Sequence, residues 1–225
     1  MAMGLSNQQI ERYSRQIIVP GVGGIGQERL LSARLMLAGT ATDVAPVLAY
    51  MVGAGVGEIQ VRLPPSDTAE LDSLITRATE LNPDVVVKAG AEGPAGLNLV
   101  LAIGGDSETS ELILLPRLLC ADVPLILVHL DEPASVAILP GRPPCPLCVD
   151  VDLIEPSKRR SDNAGFVAMI AASEAFKLLA RSAPSPSPTL LEFSACACAT
   201  RQLRQRPLSA KCACSINREV GKQQA

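Results

Sequence analysis

The run Leu97–Ile103 (LNLVLAI) most narrows the folds open to this chain. It reads as a strand apolar on both faces, and such a strand belongs in the middle of a parallel sheet covered by helices. Its neighbours agree. Arg34–Ala38, Glu58–Leu63, Asp84–Lys88, Leu125–His129 and Ser135–Leu139 are short aliphatic runs bounded by glycine, proline or aspartate, the texture of strands separated by turns. Helical stretches fall between them. Ser6-Asn7-Gln8-Gln9 is a capping box opening a short helix through Arg15, and a second short helix covers Gln27–Ser32. Asp43 is placed to cap a helix with Pro46 in its first turn, which ends in the glycines of 53–57. Asp67-Thr68-Ala69-Glu70 starts another helix, stopped by Asn82-Pro83. Ser107–Ala121 and Gly165–Arg181 complete the set, and Thr189–Ala197 with Thr200–Gln205 suggest a late hairpin. The fold class expected is α/β: a doubly wound, mostly parallel sheet with an antiparallel C-terminal extension.

The chain has 225 residues, enough for one sizeable core. Residues 1–217 are read as a single domain and 218–225 as a frayed polar tail. The formal net charge of −3 comes with no basic stripe, so nucleic acid is not an expected partner. Lys158-Arg159-Arg160 is read as a solvated loop. No apolar run reaches the length of a membrane span and no charged-then-apolar leader opens the chain. A cytoplasmic location with no membrane partner is therefore expected.

Seven cysteines, several in C-x-x-C or C-x-C spacing, point to a reducing compartment and to metal rather than disulfides. Cys145 and Cys148 form one close pair, Cys212 and Cys214 another, and a thiolate pair at each end of a long excursion is how a structural Zn²⁺ ties distant segments together. Cys196 and Cys198 are a further C-x-C able to compete for the same ion.

Two glycine turns compete as a phosphate site. Gly21-Val22-Gly23-Gly24-Ile25-Gly26 matches G-x-G-x-x-G, but the crossover from Ile17–Val19 to the strand at Arg34 is barely long enough for a packed helix and that strand ends without an acid. It is read as a flexible loop between surface helices. The turn at Gly39 is better placed, between a buried strand and a helix N-terminus. Its sequence, Gly39-Thr40-Ala41-Thr42-Asp43, keeps one glycine and puts a carboxylate where an anion would sit. Such a turn keeps the fold and gives up the ligand.

Glu11-Arg12-Tyr13-Ser14-Arg15-Gln16-Ile17 followed by Gly26-Gln27-Glu28-Arg29-Leu30 resembles the opening of the ThiF/MoeB/HesA family, the bacterial relatives of ubiquitin-activating enzymes. The likeness continues through Ala54–Ile59, Leu81–Val85, Cys145-Pro146-Leu147-Cys148, Ala164-Gly165, Glu174–Leu179 and the terminal Cys212 and Cys214. It implies a Rossmann-like fold and a dimer whose members use ATP and Mg²⁺ to adenylate the C-terminal glycine of a ubiquitin-like or sulfur-carrier protein. It also implies an arginine lent to the neighbouring subunit's site, which falls on Arg15, and a metal-binding aspartate, which falls on Asp106. It favours Cys145, Cys148, Cys212 and Cys214 over Cys196 and Cys198 as the zinc ligands. Some members carry a catalytic cysteine where this chain has Ser161, and the sole histidine, His129, ends a buried strand, so no nucleophilic constellation is expected.

Other family features are missing. After Ile59–Leu63 the chain passes straight to Pro64-Pro65 and the Asp67 box, without the ribose acid or the Ser-Asn-x-x-Arg-Gln segment, and no phosphate-binding lysine stands in Leu71–Leu81. The implied protein is a non-catalytic member with an impaired ATP site at Gly39 and Asp106. It would pair with an active paralogue and supply Arg15 in trans. Two alternatives stand beside it: a divergent ATP-dependent adenylyltransferase, and a homodimeric scaffold that binds a carrier protein.

Overall fold

A computed structural model describes residues 4–90, 96–104, 123–139, 159–182, 188–194 and 197–202. Three short helices come first: α1 (Asn7–Arg12), α2 (Ser14–Ile17) and α3 (Gly23–Ser32). Then follow β1 (Arg34–Ala38), α4 (Ala41–Ala54), β2 (Glu58–Arg62), a 3-10 turn (Pro65–Glu70), α5 (Leu71–Leu81), β3 (Val86–Ala89) and β4 (Leu99–Ile103). Strands β5 (Leu125–His129) and β6 (Ala134–Leu139), helix α6 (Ala164–Ala180), and strands β7 (Thr189–Ser194) and β8 (Ala197–Gln202) close the described chain.

All eight strands join one sheet in the order β3-β2-β1-β4-β5-β6-β7-β8. From β3 to β5 every pairing is parallel; β6, β7 and β8 add on antiparallel. The late strand pair is present, with β7 ending at Ser194 and β8 beginning at Ala197, each three residues earlier than the sequence implied. β4 lies at the centre with all five residues buried, as a strand without a polar face must.

Period-two alternation sorts the core. Leu35, Leu37, Ile59, Val61, Leu99, Leu101 and Ile103 face α4 and α6, while Met36, Val100, Leu125, Ala137 and Leu190 build a second cluster on the other face. Ala168, Ala171, Ala172 and Ala175 line the buried side of α6, and their small side chains let it lie close to the strands and to α4. The helix placed at Ser107–Ala121 lies outside the described residues, as do Asp106, Cys145, Cys148, Cys212 and Cys214.

Three local expectations are corrected. The glycines of 21–26 are not a flexible loop: Gly23 opens α3, and Gly26 is buried where a Cβ would meet Val22 and the carbonyl of Ala180, so it allows α3 to pack on α6. The cap of α4 is Thr40, whose hydroxyl accepts the Asp43 amide, because Asp43 already lies inside the helix at its third position; Pro46 falls in the second turn. The Asp67 box does not cap α5, whose first residue follows a 3-10 turn with no side-chain cap.

The N-terminal helices are fixed by one side chain. Tyr13 is 1% exposed, its hydroxyl donating to Asp84 Oδ2 (3.1 Å) and accepting from Asn82 Nδ2 (2.9 Å). Asn82 also donates to the carbonyl of Val52 (2.8 Å), and Arg12 pairs with Asp84 (3.1 Å). Gly55, with φ 82°, must be glycine because a Cβ there would lie 2.7 Å from the Tyr13 ring. Burial, chiefly, pushes the Tyr13 phenol up to about 12. Its folded pKa lies above the unfolded value near 10, so its contribution is complete below pH 10 and is lost as pH rises towards 12. Tyr13→Phe should cost about 1–3 kcal/mol in urea unfolding at pH 7, since Asn82 and Asp84 keep their burial and lose a partner. The gap between wild type and variant should narrow when the titration is repeated above pH 10.

Candidate functional site

Strand order reverses at β1, which has β2 on one side and β4 on the other. In open α/β sheets the crevice beyond the carboxyl ends of such strands is where ligands bind. Here that place is the turn Gly39–Thr40 and the N-terminus of α4. Gly39, φ 152°, is required because a Cβ would stand 2.4 Å from the Ile103 carbonyl oxygen at the end of β4. The glycine thus serves the closeness of two strands.

Two of the first-turn amides of α4 are already engaged. Ala41 N–H donates to Asp67 Oδ2 at 2.7 Å, a carboxylate delivered by the 3-10 turn after β2. Asp43 N–H is taken by the Thr40 hydroxyl (3.3 Å), which itself donates to Asp43 Oδ2 (2.9 Å). Asp43 is 5% exposed at its side chain and meets the Arg160 guanidinium with both carboxylate oxygens. That hydrogen-bonded pair raises the pKa of Arg160. A helix N-terminus attracts negative charge through its unpaired amides and dipole, and at α4 two carboxylates of the chain itself supply it.

Arg160 comes from a segment laid against the β5–β6 connection. Glu132 N–H donates to the Arg159 carbonyl (3.0 Å), Ser161 N–H to the Leu130 carbonyl (2.8 Å), and Asp131 and Arg160 form a β-bridge. Ser161 is buried; its hydroxyl donates to Glu132 Oε2 (2.7 Å) and accepts the Asn163 amide (3.3 Å). These bonds shape the entry to α6. His129 is half-buried with Nδ1 accepting the Asp131 amide (3.3 Å), and burial holds its pKa below the usual histidine value. The reading of 158–160 as a solvated loop is therefore wrong for Arg160, which holds a buried carboxylate.

Arg15 is exposed on α2 and has no partner among the described residues. Its neighbour Gln16 donates to the carbonyl of Gly53 (3.4 Å), near the C-terminal end of α4. The Gly39 turn is at the other end of that fourteen-residue helix, about 20 Å away at 1.5 Å per residue. The fold therefore does not bring Arg15 and Gly39 of one chain together. No group of three or more histidine, cysteine or acidic residues suited to a metal occurs among the described residues, where Cys198 is free and exposed. Among them, too, no helix is long and apolar enough to cross a membrane.

No protein-family profile matches the chain, but individual proteins do. The "Adenylyltransferase and sulfurtransferase uba4" of Pyricularia oryzae is 30% identical over an alignment covering 85% of this chain and 50% of that protein. The "SAMP-activating enzyme E1" of Haloferax volcanii is 38% identical over 85 residues, 38% of this chain and 31% of its own length. Among solved structures, E. coli MccB superposes with a TM-score of 0.69 at 13% identity, covering 92% of this chain and 74% of that one. The chain belongs to the ThiF/MoeB/HesA family. It spans half or less of the length of these curated relatives.

Within that family frame, the segment Arg12–Arg15 and the pair Asn82 and Asp84 are one physical unit, joined through the Tyr13 phenol. Asp67 and Arg160 are the members of the site that sequence reasoning missed. Asp67 looked like a cap for the helix after it, and Arg160 was hidden in a basic run. No local pattern signalled the buried partner of Arg160, because Asp43 lies 117 positions earlier.

The Arg160–Asp43 pair is asymmetric, since Arg160 is 54% and Asp43 5% exposed at their side chains. Arg160→Ala leaves a buried carboxylate alone and should cost about 2–4 kcal/mol, whereas Asp43→Ala leaves a guanidinium that water can reach and should cost less. Urea unfolding of both variants and their double mutant checks this order; the double mutant should be more stable than Arg160→Ala alone.

Proposed function

We propose that this chain is a non-catalytic ThiF/MoeB-like protein, the pseudoenzyme half of a complex that activates a ubiquitin-like or sulfur-carrier protein. The observation that carries this reading is the Asp67 carboxylate on the Ala41 amide. A nucleotide phosphate placed at that turn would have to displace Asp67 and lie beside Asp43, two negative charges in a partly buried site. The short connection after β2 supports the same reading, because Asp67 reaches the turn from a segment where the family carries nucleotide-contacting residues.

In this proposal the surface that works is the N-terminal one. Tyr13 anchors α1 and α2, and the free Arg15 is held away from its own turn, so that it can act on the transferring phosphates of an active partner. An arginine lent in this way stabilises developing charge, an effect that can be worth several orders of magnitude in rate. The partner would be a catalytically intact paralogue. Names of the relatives, including a "Sulfur carrier protein adenylyltransferase" of Thermus thermophilus, support a sulfur carrier or ubiquitin-like protein as the third component.

A structural Zn²⁺ belongs to the same proposal. Cys145, Cys148, Cys212 and Cys214 form a donor set of four thiolates, which suits Zn²⁺ and leaves no open coordination position. Metal analysis of the purified chain should find about one zinc per chain, and Cys145→Ser with Cys212→Ser should lower both metal content and Tm.

Calorimetric titration of ATP with Mg²⁺ into the zinc-loaded chain tests the pseudoenzyme reading, and no saturable heat is expected. Saturable binding would overturn it in favour of a divergent adenylyltransferase. Arg15→Ala should then depress pyrophosphate exchange by the complex at least tenfold while leaving assembly intact. Unchanged exchange would remove the role of Arg15.

A further inference from the structure

At the amino ends of the strands, across the sheet from the Gly39 turn, lies an open cavity of ≈ 420 Å³. It is bounded by the end of α3, by the residues that lead into β1, β4 and β5, and by the end of α6. Its walls are mixed. Val123, Pro124 and Leu178 give an apolar side, and two arginines, Arg29 and Arg181, line the same space.

Two helix C-termini meet here, and exposed carbonyls at such ends attract cations and repel anions. These carbonyls are engaged by the chain. Arg181 N–H donates to the Leu178 carbonyl (3.3 Å) and Ser182 N–H to that of Lys177 (3.2 Å), the paired pattern that closes a helix. Arg29 Nη1 reaches the carbonyl of Ala180 (3.4 Å), the Ser32 hydroxyl that of Arg29 (3.0 Å), and Ala33 N–H that of Leu30 (3.0 Å). One contact from Arg29 leaves four of its five N–H groups for other use.

Arg181 is the more telling of the two. Its backbone is left-handed, φ 50° and ψ 40°, at the position after a helix that glycine ordinarily takes. It is the sole non-glycine residue of positive φ among the described residues. A Cβ is carried there at a conformational cost, and the side chain has no partner among the described residues. An arginine in a position that glycine ordinarily takes, beside a second arginine and an apolar wall, is what a bound anion would explain.

We propose that this cavity binds a compact organic anion, a carboxylate or phosphate on a small apolar body, with Arg29 and Arg181 clamping the charge and Val123, Pro124 and Leu178 receiving the body. The site is separate from the Gly39 turn and does not depend on whether that turn binds ATP.

Phenyl phosphate and benzoate, titrated by calorimetry into the full zinc-loaded chain, test it, and the stronger of the two identifies the headgroup. Saturable binding of at least one is expected, weakened about tenfold or more by Arg181→Gly, the loss that follows from removing one charged hydrogen-bonding partner. Because glycine suits a left-handed position, the same variant should keep the fold and raise Tm. Absence of saturable binding for both probes, or wild-type affinity in Arg181→Gly, would overturn the proposal. Binding of inorganic phosphate as tight as that of phenyl phosphate would overturn the role given to the apolar wall.

Discussion

The buried phenol of Tyr13 is the constraint on which the N-terminal third of the molecule depends. Three segments far apart in sequence converge on it: the start of the chain, the end of α4, and the turn that leads to β3. Each contributes something the others need. Gly55 leaves room for the ring, Asn82 spans the hydroxyl and the Val52 carbonyl, and Asp84 holds both the hydroxyl and Arg12. Without such a clamp, helices of six and four residues would have no reason to persist, since isolated helices of that length are unstable in water. Their direction, and hence that of Arg15, is a tertiary property.

The opposite end of α4 is governed by charge. A helix N-terminus presents amides that must be met by a ligand, water or protein groups. At α4 a hydroxyl and a carboxylate meet two of them, and a second carboxylate sits in the same turn with a guanidinium against it. The result is a closed network in which Thr40, Asp43, Asp67 and Arg160 come from three separate stretches of chain.

What the sequence made legible was periodicity and punctuation. Strands β1 to β6 sit within a residue or two of their apolar runs, because aliphatic stretches bounded by turn residues have few alternatives. The capping box at Ser6 formed with both reciprocal bonds, since it is built from neighbours three residues apart. At the Gly39 turn the sequence showed one carboxylate, Asp43, and the other came from outside the local pattern. Asp67 satisfied a local rule for starting α5 and is used to cap α4 instead. Arg160 satisfied the rule that short basic runs face water, yet binds Asp43. Both failures have one cause: a side chain's partner is chosen by three-dimensional proximity, which local pattern does not encode. Gly26 misled differently, as the spacing of the glycine run suggested freedom while its packing against α6 requires smallness.

The pairing of Asp43 with Arg160 has an evolutionary corollary. The buried charge of Asp43 is tolerable because Arg160 is present, and Asp67 has its amide because the connection before it is short. A lineage losing Arg160 first would bury a carboxylate with no cation against it, whereas one losing Asp43 first would leave a guanidinium that water reaches. Loss of the pair is therefore expected to run in one order, Asp43 before Arg160, and the two positions to covary among descendants.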